Sequence, residues 1–310
     1  MLDLAASIAK AVQWIERASS EEVELVGFPE TFLPGFPQWI NMVPPGAGGK
    51  LFKEFFRNSV STNSLSSALA PLSQACKLGS VSAVVGFSER HAGTLFNSLA
   101  FIDAQTGAIK LTRRKLVPTS GERSIWGYGD ASTLHAVELS GVSVSGMMCF
   151  EHTMQLARYA LADEGSDIHV AAWPSLSGIL GYQDIYKDQV SALARSYAIM
   201  AQTFVVSAMS PFPQGAWDRI VHTVGDSGLV KPSGAWSAII DPLGRVIAEH
   251  DGMEEKLVTA EIDMSTRIDA KRVLDAGHFG RAECFQLHVD RTPFSNGTVV
   301  DVTDNTVGAT

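Results

Sequence analysis

The chain has 310 residues, 45% of them hydrophobic and 18% charged, and this composition excludes intrinsic disorder over most of its length. Acidic residues outnumber basic ones by 33 to 24, which gives a formal net charge of −9. A chain this acidic lacks the positive surface by which proteins bind nucleic acids or anionic membranes, so neither is expected as a partner. No apolar run approaches the roughly 18 residues that predict a membrane span.

The cysteine and histidine content indicates the compartment and argues against a metal. Cys76, Cys149 and Cys284 lie far apart and form no CxxC pair, which predicts a reducing environment rather than a disulfide framework. The N-terminus lacks the basic start and apolar segment that are typical of a signal peptide. We therefore expect a cytoplasmic protein. The eight histidines show no HExxH or HxH grouping, so no metal site is predicted.

In chain order, helical periodicity and short apolar runs predict helices that alternate with strands. The predicted helices cover residues 4–18, 64–77, 153–165 and 184–201. The predicted strands cover residues 23–28, 82–87, 99–103, 109–112, 142–148, 168–173, 204–209 and 257–262, with hairpin turns at 104–107, 140–141 and 241–244. This order indicates an α/β protein with a mixed sheet covered by helices. Because no linker or repeat divides the chain, we expect one domain over residues 1–290 and an extended polar tail over residues 291–310.

The first candidate for chemistry is Cys149, which follows a predicted strand and precedes a predicted helix. A helix N-terminus lowers the pKa of a thiol and offers backbone N–H groups to an oxyanion. A cysteine nucleophile also needs a base, and His152 is the nearest candidate in the sequence. The competing interpretation is a buried structural thiol, since free cysteine is among the most buried residue types.

Two further candidates lie at the ends of predicted strands. Glu30 follows a buried strand in Gly27-Phe28-Pro29-Glu30, and strand ends are where sites form in α/β sheets. Lys115 also ends a strand, and an ammonium group beside a thiol favours the thiolate and stabilises a developing oxyanion. Taken singly, Glu30 is more simply interpreted as a surface turn residue and Lys115 as part of a solvated basic run.

Three segments together resemble the nitrilase branch of the carbon–nitrogen hydrolase superfamily in order and spacing. They are Phe28-Pro29-Glu30-Thr31-Phe32-Leu33-Pro34-Gly35, Arg114-Lys115-Leu116-Val117-Pro118-Thr119-Ser120-Gly121-Glu122-Arg123 and Cys149-Phe150-Glu151-His152. Shorter matches in the same order cover residues 86–90, 94–98, 126–130, 169–174 and, as a closing motif, 275–279. Their joint occurrence is far more specific than any single motif.

This resemblance implies a fold and a set of roles. The fold would be a four-layer αββα sandwich. Cys149 would be the nucleophile, Glu30 the general base, Lys115 the group that stabilises negative charge, and Glu122 a second carboxylate that orients substrate and lysine. The backbone N–H of Phe150 would donate to the oxyanion. No metal or organic cofactor is implied. The reaction would form a thioimidate, release ammonia, and hydrolyse a thioester to a carboxylic acid.

The resemblance also implies a substrate and an assembly. His152 two residues after Phe150, together with residues 168–175, is most similar to arylacetonitrilases and cyanide-converting members, so a small-molecule nitrile, arylaliphatic in type, is the expected substrate. Phe150, His152, Trp173 and Pro174 are the expected substrate-binding residues. Members of the branch build homo-oligomers from dimers paired across the helices that face Cys149, and extend them into spirals or filaments.

One difference from the branch lies at the start of the chain. Members begin with a strand of the central sheet, whereas this sequence begins directly at the helix over residues 4–18. Loss of such a strand leaves backbone groups unpaired at a sheet edge. We therefore expect a form extended upstream to be the more stable, and equal melting temperatures of the two forms would contradict this expectation.

Two kinds of alternative to a nitrilase are open from the sequence. An amidase, a carbamoylase or a cyanide-converting enzyme of the same superfamily would use the same four residues, and turnover of nitriles against matching amides would separate a nitrilase from an amidase. An inactive, filament-forming assembly protein would keep the fold without the reaction. The run Gly225-Asp226-Ser227-Gly228 imitates a serine-protease motif, but it is more simply a turn.

Overall fold

The computed structural model describes residues 1–274, 281 and 283–294, and in this part of the chain it contains two mixed β-sheets. The first sheet has the strand order β1-β3-β4-β5, with β2 paired to β3 beside β1. Its strands are β1 (Leu25–Gly27), β2 (Val60–Ser61), β3 (Ser82–His91), β4 (Thr94–Ile102) and β5 (Ile109–Arg114). β1 runs parallel to β3, and β3, β4 and β5 form an antiparallel meander.

The second sheet has the order β11-β10-β9-β8-β7-β6. Its strands are β6 (Val137–Leu139), β7 (Val142–Met148), β8 (Ile168–Trp173), β9 (Phe204–Met209), β10 (Ala235–Ile240) and β11 (Val246–Gly252). β7, β8 and β9 are parallel, because helices connect them, whereas tight hairpins make β6 and β11 antiparallel to their neighbours.

The helices are α1 (Leu4–Ser20), α2 (Gly49–Arg57), α3 (Leu65–Ala68), α4 (Ala70–Gly79), α5 (Gln155–Asp163), α6 (Tyr186–Ala201), α7 (Gln214–Val224) and α8 (Thr266–Leu274). Apolar faces of α1 and α4 pack on the outer face of the first sheet. Apolar faces of α5 and α6 pack on the outer face of the second. Between the sheets, Leu99 and Phe101 of β4 meet Val144 of β7 and Val170 of β8. The result is the predicted four-layer αββα arrangement.

Most predicted elements match the structure, but the strand predicted over residues 257–262 is wrong. This segment alternates between more and less exposed residues as a strand would, yet it makes no ladder with either sheet. A strand needs a neighbour to accept its backbone hydrogen bonds. Within the described residues, β1 is an edge strand of the first sheet, and its one neighbouring strand is β3.

The beginning and end of the described chain are anchored by polar contacts. α1 is the first element, as the sequence indicated, and the Asp3 side chain caps it by accepting the amide hydrogen of Ala6. Near the other end, the Arg291 side chain forms an ion pair with Glu164. The domain boundary at residue 290 stays a prediction. The predicted closing motif at residues 275–279 and the tail beyond residue 294 lie outside the described residues.

No helix in the described part of the chain combines the length and apolar character needed to cross a bilayer.

Candidate active site

The four predicted catalytic side chains meet at one end of the two sheets. Glu30 follows β1, Lys115 follows β5, and Glu122 lies on a 3₁₀ turn over Ser120–Ser124. Cys149 follows β7 in the second sheet and begins a second 3₁₀ turn, Cys149–Thr153. Each residue is at most 4% exposed. Because the sheets pack face to face, residues at their strand ends converge although they are far apart in sequence.

Lys115 is the centre of this cluster. Its Nζ donates to Glu30 Oε1 at 2.8 Å and to Glu122 Oε2 at 2.7 Å. Burial alone would lower the pKa of the Lys115 ammonium, but attraction to Glu122 and Glu30 outweighs it and raises that pKa above its ordinary value. Lys115 therefore carries a positive charge at neutral pH.

Glu122 is held in place by its own turn. Its Oε2 accepts the backbone amide hydrogen of Thr119 at 2.9 Å, and the Thr119 side chain completes a reciprocal capping box. Glu122 therefore offers Lys115 a carboxylate that the local backbone has already oriented.

One oxygen of the buried Glu30 carboxylate has no hydrogen-bond partner among the described residues. Oε1 accepts from Lys115 and, at 2.6 Å, from Asn97 Nδ2, whereas the buried Oε2 receives no hydrogen bond. Burial raises the pKa of Glu30 to about 8, against the opposing attraction of Lys115. A carboxyl group with a pKa near neutrality and a free oxygen is suited to accept and return a proton.

Cys149 occupies a sharp turn at the end of β7. Its backbone is in the left-handed region, with φ of +50°, and the amide of Phe150 donates to its sulfur. Burial raises the pKa of the thiol well above its ordinary value, and the Lys115 charge opposes this shift. The Tyr186 hydroxyl hydrogen-bonds the same sulfur and donates to the Pro174 carbonyl at 2.8 Å.

The structure separates the four predicted substrate-binding residues. Pro174 lines a cavity that Glu30 also lines. Phe150 is half-buried and makes an edge contact with Trp173, at 6.4 Å between ring centroids. Trp173 and His152 are fully buried and stack on each other at 4.7 Å. Trp173 belongs to the apolar cluster between the second sheet and its helices, which also contains Cys149, and the His152 ring packs against Tyr197 of α6.

His152 belongs to a buried chain of polar groups next to Cys149. Its Nδ1 lies 2.7 Å from the Cys149 carbonyl oxygen, and its Nε2 lies 3.1 Å from Nε2 of His169. His169 Nδ1 is in turn 2.8 Å from the Ser145 hydroxyl. Burial lowers the pKa of His152 to about 4 and that of His169 well below its ordinary value, so both rings are neutral at physiological pH. The sequence made His152 a candidate base for Cys149, but its two ring nitrogens contact the Cys149 carbonyl oxygen and His169 rather than the Cys149 sulfur.

A cavity of about 220 Å³ reaches Glu30 from the surface. Its wall is largely apolar and aromatic, formed by Phe32, Pro34, Phe36, Pro174 and Phe212. An ion pair between Lys10 and Glu255 lies at its rim. Apolar cavities with a few convergent polar groups are the usual form of a small-molecule site.

Sequence reasoning missed three residues of the site. Asn97 holds Glu30, Tyr186 contacts Cys149, and Glu151 bonds both segments that carry Lys115 and Cys149. Asn97 and Glu151 lie inside the matched motifs, and that position was the available signal. Tyr186 lies on α6, far from any motif, and nothing in the sequence distinguished it from a core aromatic residue.

Among the described residues, no group of three or more histidine, cysteine, aspartate or glutamate side chains is placed to hold a metal ion.

Comparison with known families identifies the chain. The family model described as "Carbon-nitrogen hydrolase" matches residues 1–272, nearly the whole of the described structure. The chain belongs to the carbon–nitrogen hydrolase family. This hydrolase acts on carbon–nitrogen bonds as a member of that family, and the motif-based resemblance is confirmed.

Relatives of this hydrolase carry several nitrilase names. A nitrilase from Penicillium rubens is 32% identical, and the match covers 94% of this chain and 90% of the relative. An aliphatic nitrilase from Rhodococcus rhodochrous is also 32% identical, over 94% of this chain and 76% of the relative. An arylacetonitrilase from Aspergillus niger is 32% identical, over all of this chain and 93% of the relative.

A solved structure supports the fold. A carbon–nitrogen hydrolase from Helicobacter pylori superposes with a TM-score of 0.72 at 17% identity, and the match covers 91% of this hydrolase and 92% of that chain. At this identity the likeness concerns the fold alone.

Proposed function

We propose that this protein is a nitrilase that converts an arylaliphatic nitrile to the carboxylic acid and ammonia, with Cys149 as nucleophile. The observation that carries the proposal is a buried cluster at one end of the sheets. In it, Lys115 lies between two carboxylates and Cys149 lies close enough for the lysine charge to act on its thiol. The nitrilase names of relatives that match most of the chain support the same activity.

The first half of the reaction uses Glu30 and Lys115. Glu30 accepts the thiol proton as the Cys149 sulfur bonds to the nitrile carbon. Negative charge then develops on the nitrile nitrogen, where Lys115 and the Phe150 amide stabilise it. The proton passes from Glu30 to that nitrogen and gives a neutral thioimidate. The raised pKa of Glu30, about 8, suits a group that must both take and release a proton near neutral pH.

The second half consumes two waters. Glu30 takes a proton from the first water as that water adds to the thioimidate carbon, and it passes this proton to the nitrogen. The tetrahedral centre then expels ammonia, which takes the hydroxyl proton, and a thioester is left. A second water, activated in the same way, cleaves the thioester and returns the proton to the Cys149 sulfur. Covalent catalysis thus divides one difficult hydrolysis into steps with accessible barriers.

The wall of the cavity supports an aryl-bearing substrate. Phe32, Phe36 and Phe212 present aromatic surface on the route to Glu30, and aromatic rings pack well against each other edge to face. Of the four residues predicted to bind substrate, Pro174 keeps that role in this proposal. Phe150, His152 and Trp173 support the Cys149 turn instead.

We further propose that the protein works in the cytoplasm as a homo-oligomer. The composition and the scattered cysteines support the compartment. Exposed Leu156 and Tyr159 on α5 support a contact between copies across the helices of the second sheet. Size-exclusion chromatography with light scattering tests the assembly, and a monomer at micromolar concentration would contradict it.

The test of the activity is ammonia release from a panel of aryl, arylaliphatic and aliphatic nitriles, inorganic cyanide, and the matching amides. We expect arylacetonitriles to be turned over fastest, and faster turnover of the amides would replace the nitrilase by an amidase. Intact-protein mass spectrometry with an arylacetonitrile should show an acyl adduct in the wild type. Cys149→Ala should show no adduct, and an adduct on another residue would refute the assignment of Cys149.

A further inference from the structure

Arg113 and Glu151 form a buried ion pair that the proposed mechanism does not use. Each residue is 1% exposed. Arg113 Nη1 donates to Glu151 Oε2 at 2.9 Å, and Arg113 Nη2 donates to Glu151 Oε1 at 2.8 Å. A bidentate arginine–carboxylate pair fixes both the distance and the relative orientation of the two side chains, which a single contact from a lysine ammonium would not do.

Glu151 makes two further bonds, both to the backbone. Its Oε1 accepts the amide hydrogen of Leu116 at 2.7 Å, and its Oε2 accepts that of Met148 at 2.9 Å. Leu116 directly follows Lys115, and Met148 directly precedes Cys149. The Glu151 carboxylate therefore bonds both the backbone next to Lys115 and the backbone next to Cys149. Arg113, two residues before Lys115, adds a second connection between Glu151 and the lysine segment.

The surrounding groups keep this carboxylate ionised. Burial opposes ionisation of Glu151, but Arg113 and the two amides outweigh burial and lower the pKa of the carboxyl. All four hydrogen bonds are therefore available across the pH range in which the enzyme works.

Bonds between the Lys115 and Cys149 segments are needed because the residues of the site come from two different sheets. Glu30, Asn97, Lys115 and Glu122 lie on the strands and loops of the first sheet and are bonded to one another. Cys149 comes from the second sheet. The apolar side chains between the sheets attract without fixing direction, because the hydrophobic effect is non-directional. The position of the thiol relative to the ammonium and the base therefore depends on directional bonds at the sheet ends.

We propose that Arg113 and Glu151 are positioning residues, a clamp that holds the Cys149 turn in register with Lys115. The inference rests on the proposed function for its kinetic readout. Misplacement of reacting groups by about 1 Å can lower a rate by about 10²-fold. Loosening the clamp should thus reduce kcat strongly while leaving KM little changed, because the cavity that Glu30 lines is built from other segments.

The test compares the clamp with a neighbouring pair of the same kind. Glu89 is 2% exposed and receives three hydrogen bonds from Arg114, yet both residues belong to the first sheet. Glu89→Gln therefore removes a buried charge without touching the contact between sheets. We expect Glu151→Gln to lower kcat by about 10²-fold, with KM within about threefold of wild type. The matched Glu89→Gln variant should keep kcat within about threefold.

Two further variants distinguish a loss of positioning from a loss of folding. Arg113→Lys keeps the charge pair but replaces the two-pronged bond by a single contact, and kcat should be intermediate. Arg113→Gln with Glu151→Gln removes both charges, so no unpaired charge is left buried. Equal kcat per folded molecule in Arg113→Lys and wild type would overturn the proposal, as would equal losses in Glu151→Gln and Glu89→Gln.

A substrate-free measurement separates this proposal from the proposed function. In a Cys284→Ser background, the rate at which iodoacetamide modifies Cys149 reports how well Lys115 stabilises the thiolate. Glu151→Gln should slow this rate at least tenfold, whereas Glu89→Gln should not. If no nitrile or amide is turned over, the nitrilase proposal fails while this rate still decides the clamp. An unchanged rate in Glu151→Gln would refute the clamp whatever the substrate.

Discussion

The contact between Asn97 and Glu30 allows the role of the base to be tested quantitatively. Asn97 Nδ2 donates to Glu30 Oε1 at 2.6 Å, in a site where both residues are buried. Hydrogen bonds to charged groups contribute about 1.5–3 kcal/mol, and one pKa unit corresponds to about 1.36 kcal/mol. Asn97→Ala removes a bond that favours the ionised carboxylate. The pKa of Glu30 should therefore rise from about 8 by one to two units.

The Asn97→Ala substitution should shift the pH dependence of activity to higher pH. The base works only when deprotonated, so activity rises with pH through its pKa. A higher pKa moves the acid limb of the kcat/KM profile to higher pH and lowers activity at pH 7 by about tenfold for each unit. Because Glu30, Lys115 and Cys149 titrate as a coupled set, the limb reports an apparent value for the cluster.

The assay is a profile of ammonia release against pH, from 5 to 10, for wild type, Asn97→Ala and a control. Ser98→Ala is the matched control, because Ser98 is the next residue of β4, is equally buried, and bonds Glu89 instead. Its acid limb should coincide with that of wild type. An unchanged limb in Asn97→Ala, or a shift to lower pH, would refute the assignment of Glu30 as the base.

The other predictions concern the nucleophile, the backbone behind Glu30 and the buried histidine. Cys149→Ala should abolish product release yet keep the circular dichroism spectrum of the wild type, and measurable turnover would contradict its role. Gly86→Ala should destabilise the fold by about 1–3 kcal/mol and reduce kcat, because its Cβ would lie 2.3 Å from the Pro29 carbonyl oxygen; chemical denaturation and steady-state kinetics check this. His152 has a pKa of about 4, so His152→Gln should leave the shape of the pH profile between 6 and 9 unchanged, and the disappearance of a limb would show that the ring titrates in catalysis.

The local sequence was sufficient to predict where the catalytic side chains lie on the strands. Glu30 and Cys149 each follow a short apolar run, and such runs predict buried strands whatever their partners. Lys115 follows a strand that was predicted from the hairpin turn at residues 104–107. β7, β8 and β9 match their predicted bounds for the same reason. The convergence of these residues came from the motif resemblance rather than from the strand pattern.

The features that the sequence did not predict depend on contacts between residues that are far apart in the chain. Residues 257–262 have a strand pattern but no neighbour in the described sheets, and a pattern cannot supply one. Substrate binding by Trp173 and His152, which the family resemblance implied, stays a prediction. Their stacked rings pack near Tyr197 of α6, a contact that the sequence pattern did not indicate. The role of Glu151 requires knowing which two sheets it joins.

The left-handed backbone at Cys149 has a consequence for how this chain tolerates change. A side chain in that conformation costs about 1–2 kcal/mol, a strain that glycine does not pay. Alanine or serine at position 149 would keep the strain, whereas glycine would relieve it. A chain selected for folding alone would therefore gain from glycine at this turn. Cysteine at this position therefore lowers the stability of the fold relative to glycine, and the proposed role of its sulfur as nucleophile accounts for its presence there.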